Sequence, residues 1–344
     1  MQVNIIRDID DFVSAKEKWN SLFNNRKYSV FQSFNYNYYS WLSILSKEKN
    51  KLHILLISKE NRLISICPFY LDRYKTLRFI NDIHTDYCDI LLDEVFDLNI
   101  ILSKFLFVRR ISFMNLLKDS NILKVFKYSN YKLSYSINDR KISCLYLKKG
   151  LFPDNYDIFR SKHKSEFRRI CKKYPNSKHL LLTYKDTLFP IEEIKELRSK
   201  MINLGLRKDG FLDNSLLELI CDLYNKGDLI ISLIKKKKKN QAISFLFVKN
   251  SEYLVWIDMY DNSKMINLFN YISFISLLSH DKDVNIHFGR GDYKYKVKNF
   301  LPTIDNLIRI EVFFNWFYYI IYQIASYILI HIKILYKKIL SESI

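Results

Sequence analysis

The pattern of apolar and polar positions predicts two rounds of helix and strand along one chain. In FVSAKEKWNSLF, Phe12, Trp19, Leu22 and Phe23 fall at helical spacing, and NYNYYSWLSILS reads as a second helix. KLHILLISKENRLISICPFYL is two apolar runs around the polar turn SKENR, a hairpin signal. DYCDILLD then reads as a short strand, LNIILSKFLF as a helix and RRISFMNL as another strand. A similar order returns after residue 150. PIEEIKELRSKMI and NSLLELICDLYNKG are helices, the second with Asn214 as N-cap and Gly227 as a stop. LIISLIKKKKKNQAISFLFV is a hairpin whose lysine run forms a solvated turn, without the interleaved aromatics that nucleic-acid stacking would need. EYLVWIDMYD is a strand, NLFNYISFISLLS a helix, VNIHFG a strand, DYKYKVKNFL a short helix and NLIRIEVFF a last strand. The expected fold class is α/β (α+β), in two domains of related topology.

Between the two rounds lies FRSKHKSEFRRICKKY. Phe159, His163, Phe167, Ile170 and Tyr174 share one helical face, and Arg160, Lys164, Arg168 and Lys172 the other. This is a bridging helix with either a solvated basic face or a basic wall toward a phosphate-bearing ligand. A chain of 344 residues suits two domains, and 49% hydrophobic residues exclude a disordered protein. The net charge of +19 favours anionic partners, although Lys, Ile, Asn, Tyr and Phe are abundant throughout the sequence. Five scattered cysteines without CxxC read as reduced thiols of a cytosolic protein. The opening MQVNIIRDIDDF does not read as a signal peptide. No HExxH, GxSxG, Walker loop or GxGxxG is present, and no metal site is expected.

Only six glycines occur in the chain, and two lie in HFGRGDYKYK, at positions 289 and 291. They let the backbone turn with positive φ after the strand VNIHF, and Asp292 is placed to cap the helix that follows. Together, AISFLFVKNSEYLVWIDMYDNSK and FGRGDYKYKVKNF resemble the acetyltransferase domain of CelD-like proteins of bacterial polysaccharide biosynthesis, relatives of the two-halved Fem-type GNAT transferases. Phe288, Gly289, Arg290, Gly291, Asp292, Tyr295 and Lys296 match the family's closing motif. SKHKSEFRRICKK resembles its arginine-rich helix, and VFQSFNYNYYSWL its aromatic N-terminal helix. Two positions depart: His287 stands where an aspartate is usual, and the helix after MYDNSK opens without glycine.

The resemblance implies tandem GNAT-like domains with mixed central sheets flanked by helices. Their expected extents are 1–145, a bridging helix at 146–175, an acyltransferase domain at 176–311 and an apolar amphipathic C-terminal helix at 312–344. It implies acetyl-CoA, or another acyl-CoA, as co-substrate. Asn262 and Ser263 at a helix start, with Gly289, Arg290, Gly291, Lys296 and Arg168, are the implied cofactor-binding residues. Tyr295 would donate a proton to the leaving group, and Lys296 would stabilise charge or hold a phosphate. Asp292 would serve as base or only as cap. In HTDYCDILLD, which resembles the family's D-Y-x-D stretch, Asp86 would recruit or deprotonate an acceptor that Tyr87 and Asp89 help to bind. Alternatively this stretch, with His84, is a capping and turn cluster. Trp256 and Asp258 sit at alternate positions of VWIDMY, where each residue parity faces one side of the sheet, and are further substrate-binding candidates, with a core position as the alternative for Trp256.

VFFNWFYYIIYQIASYILIHI, residues 312–332, contains no charged residue and is long enough to span a bilayer, with KILYKK following on the cytoplasmic side. Asn315, Tyr319, Tyr322, Ser326, Lys333 and Lys337, however, form one polar stripe. That stripe suits a helix lying in the membrane interface or docked on the protein itself. The expectation is a cytoplasmic acyltransferase, peripheral at the inner membrane face, that acetylates an amino or hydroxyl group of a sugar or lipid-linked envelope precursor. The alternatives are a Fem-type aminoacyltransferase using charged tRNA and a catalytically degenerate, membrane-attached GNAT scaffold.

Overall fold

The chain begins with β1 (Gln2–Ile6), α1 (Ile9–Ser14), α2 (Lys16–Asn24) and α3 (Phe34–Ser43). Asp8 caps α1 by accepting from Asp11 N at 2.8 Å, and Ser33 caps α3 by accepting from Tyr36 N at 3.2 Å. There follow β2 (Lys51–Leu52), β3 (Ile54–Lys59), β4 (Arg62–Cys67), β5 (Phe69–Leu71), β6 (Thr76–Phe79), β7 (Leu91–Leu92), α4 (Asn99–Leu102), β8 (Arg110–Leu116), α5 (Asn121–Tyr128) and β9 (Tyr135–Leu147). Glu60 and Asn61 both adopt positive φ in the tight turn joining β3 to β4, as the SKENR pattern predicts.

The second round comprises α6 (Ser161–Lys173), β10 (Ser177–Leu182), α7 (Ile191–Asn203), α8 (Asn214–Asn225), β11 (Leu229–Lys236), β12 (Lys239–Lys249), β13 (Glu252–Tyr260), α9 (Lys264–Ser279), β14 (Val284–Arg290), α10 (Lys294–Phe300) and β15 (Thr303–Phe313). From α7 onward this is the expected order. The cap of α8 is Asp213, which accepts from Leu216 N at 2.9 Å, rather than Asn214. The lysine run is the β11–β12 turn. This computed structural model describes the chain apart from residues 26–27, 106, 130–134, 238, 262–263, 292, 315–316, 318, 325–326, 329–330 and 333–344, with 135–140 and 264 as backbone only.

The strands form a four-stranded sheet, β1-β3-β4-β7, and an eleven-stranded sheet, β10-β11-β12-β13-β14-β9-β15-β8-β6-β5-β2. This is a mixed α/β architecture with helices on both faces of the sheets. One core lies between the first-half strands and α4–α5 and another beneath α1–α3. A third lies under α7 and α8, and a fourth joins α6, α9 and α10. The halves are interlocked. β9 pairs with β14 of the second round, and the last strand, β15, inserts between β9 and β8 of the first. β9 thus runs across residue 145 and β15 across residue 311. Phe31, Tyr36 and Tyr87 from the first round also pack into the core of the second.

Four strands and one helix had no clear sequence signal: β1, β6, α5, β9 and β10. In β9 the charged triplet Asp139-Arg140-Lys141 interrupts the apolar alternation. DYCDILLD yields strand only at Leu91–Leu92, because its first half is held in an irregular buried path. Among the described residues no helix is long and apolar enough to cross a membrane.

Candidate active site where two parallel strands part

β13 and β14 are parallel neighbours only over Glu252↔Asn285, Tyr253↔Ile286 and Leu254↔His287. Beyond that the pairing ends, β13 staying with β12 and β14 with β9. Two bulges accompany the parting. On β13, Phe245 faces Ile257 while Leu246 faces Val255, so Trp256 is the extra residue. On β14 the register with β9 shifts between His287 and Arg290. Bulges bend and twist a strand, and here they open a wedge at the ends from which α9 and α10 start.

The bulge also decides which side chains enter the wedge. Trp256 and Ile257 both lie on the face that packs under α7 and α8, so Asp258 falls on the opposite face, toward α9. Asp258 Oδ2 accepts from Tyr271 Oη at 2.6 Å and lies 3.4 Å from Tyr295 Oη and 3.7 Å from Lys296 Nζ. Its Oδ1 accepts from Ser244 Oγ at 2.8 Å. The network continues through fully buried Asn270 to Ser232 and His179, at 3.0, 2.6 and 2.9 Å. This buried polar chain holds Asp258 in one position.

Tyr295 is half-buried. Burial, and then the Asp258 charge, push its hydroxyl pKa well above the usual tyrosine range, so it keeps its proton. Asn267 donates to the same hydroxyl at 3.4 Å, while its own buried Oδ1 has no partner among the described residues. Lys296 is only 4% exposed and donates to Phe288 O at 2.7 Å. Burial pulls its pKa below the ordinary lysine value, against the raising pull of Asp258 and Asp86. Enclosed in this way, Lys296 is placed to set the local charge and not to grip a phosphate.

The GRG segment has a different use from the one expected. Gly289 has φ 71°, and a Cβ there would lie 2.7 Å from both Asp86 Oδ2 and Val255 O. Glycine is therefore required by the approach of another part of the same chain. Arg290 N donates to Asp86 Oδ2 at 3.2 Å, and Gly291 N donates to Lys141 O at 2.7 Å. The Arg290 guanidinium donates to Ile83 O at 2.8 Å and Thr85 O at 3.4 Å and lies 3.6 Å from Asp86 Oδ1. Trp256 Nε1 donates to His84 O at 2.7 Å. Asp86, Gly289, Arg290 and Trp256 thus join the 83–86 segment to the second half, while Gly291 is tied to β9.

The other candidates separate. Tyr87 is buried edge-on to the His287 ring, 6.0 Å between centroids, and its hydroxyl has no partner among the described residues. Asp89 is a cap: it accepts from Asn121 N at 2.7 Å and Ile122 N at 3.0 Å at the start of α5, which engages both its oxygens. Burial raises its carboxyl pKa to about 6, against the pull of these amides. The exposed Arg168 pairs with Asp154 at 3.1 Å. Asn262, Ser263 and Asp292 lie outside the described residues. Missed from the sequence were Tyr271, Asn267 and Asn270, since a helix apolar on most sides gives no sign of which polar residues turn inward. His287, at the departed position, bonds Glu252 Oε2 at 2.8 Å. Burial works against its charge, but hydrogen bonds to Cys144 and Glu252 outweigh it and raise the pKa to about 9. Among the described residues no three His, Cys, Asp or Glu side chains are grouped to hold a metal ion.

No protein-family model and no curated protein matches the sequence. Solved structures do match its fold. "Tandem GNAT protein from the clavulanic acid biosynthesis pathway" superimposes with a TM-score of 0.50 and 8% identity, over 91% of this chain and 98% of that one. The fold is a tandem GNAT fold. FemX matches it with a TM-score of 0.58 and 11% identity, over 93% of this chain and 99% of the other. The C-terminal domain of a putative lysylphosphatidylglycerol synthetase from Agrobacterium fabrum matches with 0.57 and 10%, over 87% and 92%. Within this GNAT fold the parted strands belong to the second half.

Two predictions follow from the site. Gly205 has φ 67° with open space around it, so Gly205→Ala carries only the backbone cost of about 1 kcal/mol, whereas Gly289→Ala adds the clash with Asp86 and loses about 2–4 kcal/mol in denaturant unfolding. Equal losses would show that the Asp86 contact contributes nothing. The folded His287 pKa lies above its unfolded value, so its contribution is complete below about pH 6.5 and fades as pH rises through about 9. Stability measured across that window should fall by on the order of 1–2 kcal/mol more for the wild type than for His287→Gln.

Proposed function

We propose that the chain is an acyltransferase carrying an acyl group, acetyl in the simplest case, from a CoA thioester to an amino or hydroxyl group of a sugar or cell-envelope precursor. Residues 176–311 would carry the reaction. The reading rests on one observation: the Tyr295 hydroxyl stands at the mouth of the parted β13 and β14, directed at the Asp258 carboxylate that Tyr271 also holds. The wedge between the parted strands suits an extended ligand carrying amides, and the start of α9 at the same end suits its phosphates. The Asn267 Oδ1 beside Tyr295, which has no partner among the described residues, is suited to accept from a ligand N–H.

In this reading the acceptor lone pair attacks the thioester carbonyl and the C–S bond breaks. Tyr295 donates to the departing thiolate, and the proton shed by the acceptor restores it. The net change moves one proton from acceptor to sulfur. The acceptor would enter from a cavity of about 750 Å³ in the first half, lined by Lys49, Tyr70, Arg78, Asp82, Ile83 and His84. It borders the segment that reaches Trp256 and Arg290. Arg78 is held there by two bonds to buried Asp82, at 2.9 and 3.0 Å.

Calorimetric titration of the full chain with acetyl-CoA, CoA and a free nucleotide tests the donor. Micromolar binding to the two CoA species is expected, with Tyr295→Phe leaving affinity nearly unchanged but lowering turnover about a hundredfold or more once an acceptor is found. A folded protein that binds neither CoA species, yet binds RNA with steep salt dependence, would replace this reading by the tRNA-dependent one.

A further inference from the structure

Past β15, the described residues between 317 and 332 are helical, and the apolar side of this segment faces away from the protein. The side chains that reach back are Tyr319 and Tyr322. Their rings meet Phe313 at 5.4 and 5.2 Å, and Tyr322 Oη accepts from Arg309 Nη2 at 2.8 Å with the Arg110 guanidinium over its ring. On the other side Ile320, Ile321, Ile324, Ile328 and Ile332 recur at helical spacing, each between 40% and 55% exposed. A helix belonging to a core points the other way: α7 turns Ile194, Leu197 and Met201 inward. The segment thus touches the protein through its polar stripe and leaves the isoleucine side uncovered among the described residues.

We propose that this segment lies in the plane of an anionic lipid bilayer, with its isoleucine face in the acyl boundary. Three features favour lipid over another protein surface. Aromatic residues crowd the start of the segment, with Trp316, Phe317, Tyr318 and Tyr319 in succession, as at a membrane–water interface. In the sequence Lys333, Lys337 and Lys338 follow directly on the isoleucine run, a basic flank that suits anionic headgroups. The net charge of +19 complements an anionic surface.

The test is cosedimentation of the full chain with vesicles of phosphatidylcholine alone or with about a third phosphatidylglycerol. Tight binding to the anionic vesicles is expected, weakened by salt. The Ile324→Glu and Ile328→Glu variants should bind at least about tenfold more weakly. Leu188→Glu, at a position 93% exposed elsewhere, should bind like the wild type. Absence of binding, or equal binding by all variants, would overturn the proposal. So would wild-type dimers in lipid-free sedimentation velocity that the Ile324 and Ile328 variants convert to monomers, since the face would then belong to a second copy. Retention on membranes through an alkaline carbonate wash would also overturn it, in favour of a spanning helix.

Discussion

A buried segment without regular structure must find a partner for each backbone polar group, and in this protein that requirement falls on residues 81–87, between the two halves. Their carbonyls are met from both sides. Asn115 donates to Asp82 O and Thr85 O, and Gln32 donates to Tyr87 O. Arg290 takes Ile83 O and Thr85 O, and Trp256 takes His84 O. Tyr36 braces the segment from α3, meeting the side chains of Thr85 and Asn81. Leaving any one of these groups unpaired costs on the order of 1–3 kcal/mol, so the halves dock in one arrangement or lose several such bonds together. β9 and β15 reinforce it by carrying one sheet through both halves.

The same joint shapes the proposed site. Gly289 yields room to Asp86, whose charge acts on Lys296 together with that of Asp258 at 3.7 Å. A buried ammonium needs such company, because desolvation otherwise removes its charge. Asp258 in turn is anchored by Ser244 and Tyr271, and the Ser244–Asn270–Ser232 chain ties it into the sheet. A network of this kind fixes geometry only when its members are satisfied, and the exposed end of this one is Tyr295. The inter-half contact and the proposed proton donor are thus parts of one polar structure.

Much of the architecture was legible in the pattern of residues. Period-2 and period-3.6 runs located α7, α8, the β11–β12 hairpin, β13, α9, β14, α10 and β15, because each of these buries one face or both and local sequence must supply that face. The glycines at 289 and 291 marked a close approach. The polar stripe through Tyr319 and Tyr322 marked an amphipathic segment. Tyr295, Lys296 and Asp258 were named, and they do meet.

What approaches Gly289 was not legible, nor which face Asp258 takes. The first depends on Asp86, two hundred residues away in the chain, and no local periodicity encodes a contact at that separation. The second turns on one extra residue, Trp256, whose bulge reverses the parity of the strand after it, while alternation in the sequence reads the same with or without the bulge. Asp89 looks like a site residue until the start of α5 is brought against it. Local sequence sets which faces must be buried and where the chain can bend. Tertiary packing chooses which polar groups are spent holding the halves together and which remain for chemistry, because a hydrogen bond is made only where its two partners arrive.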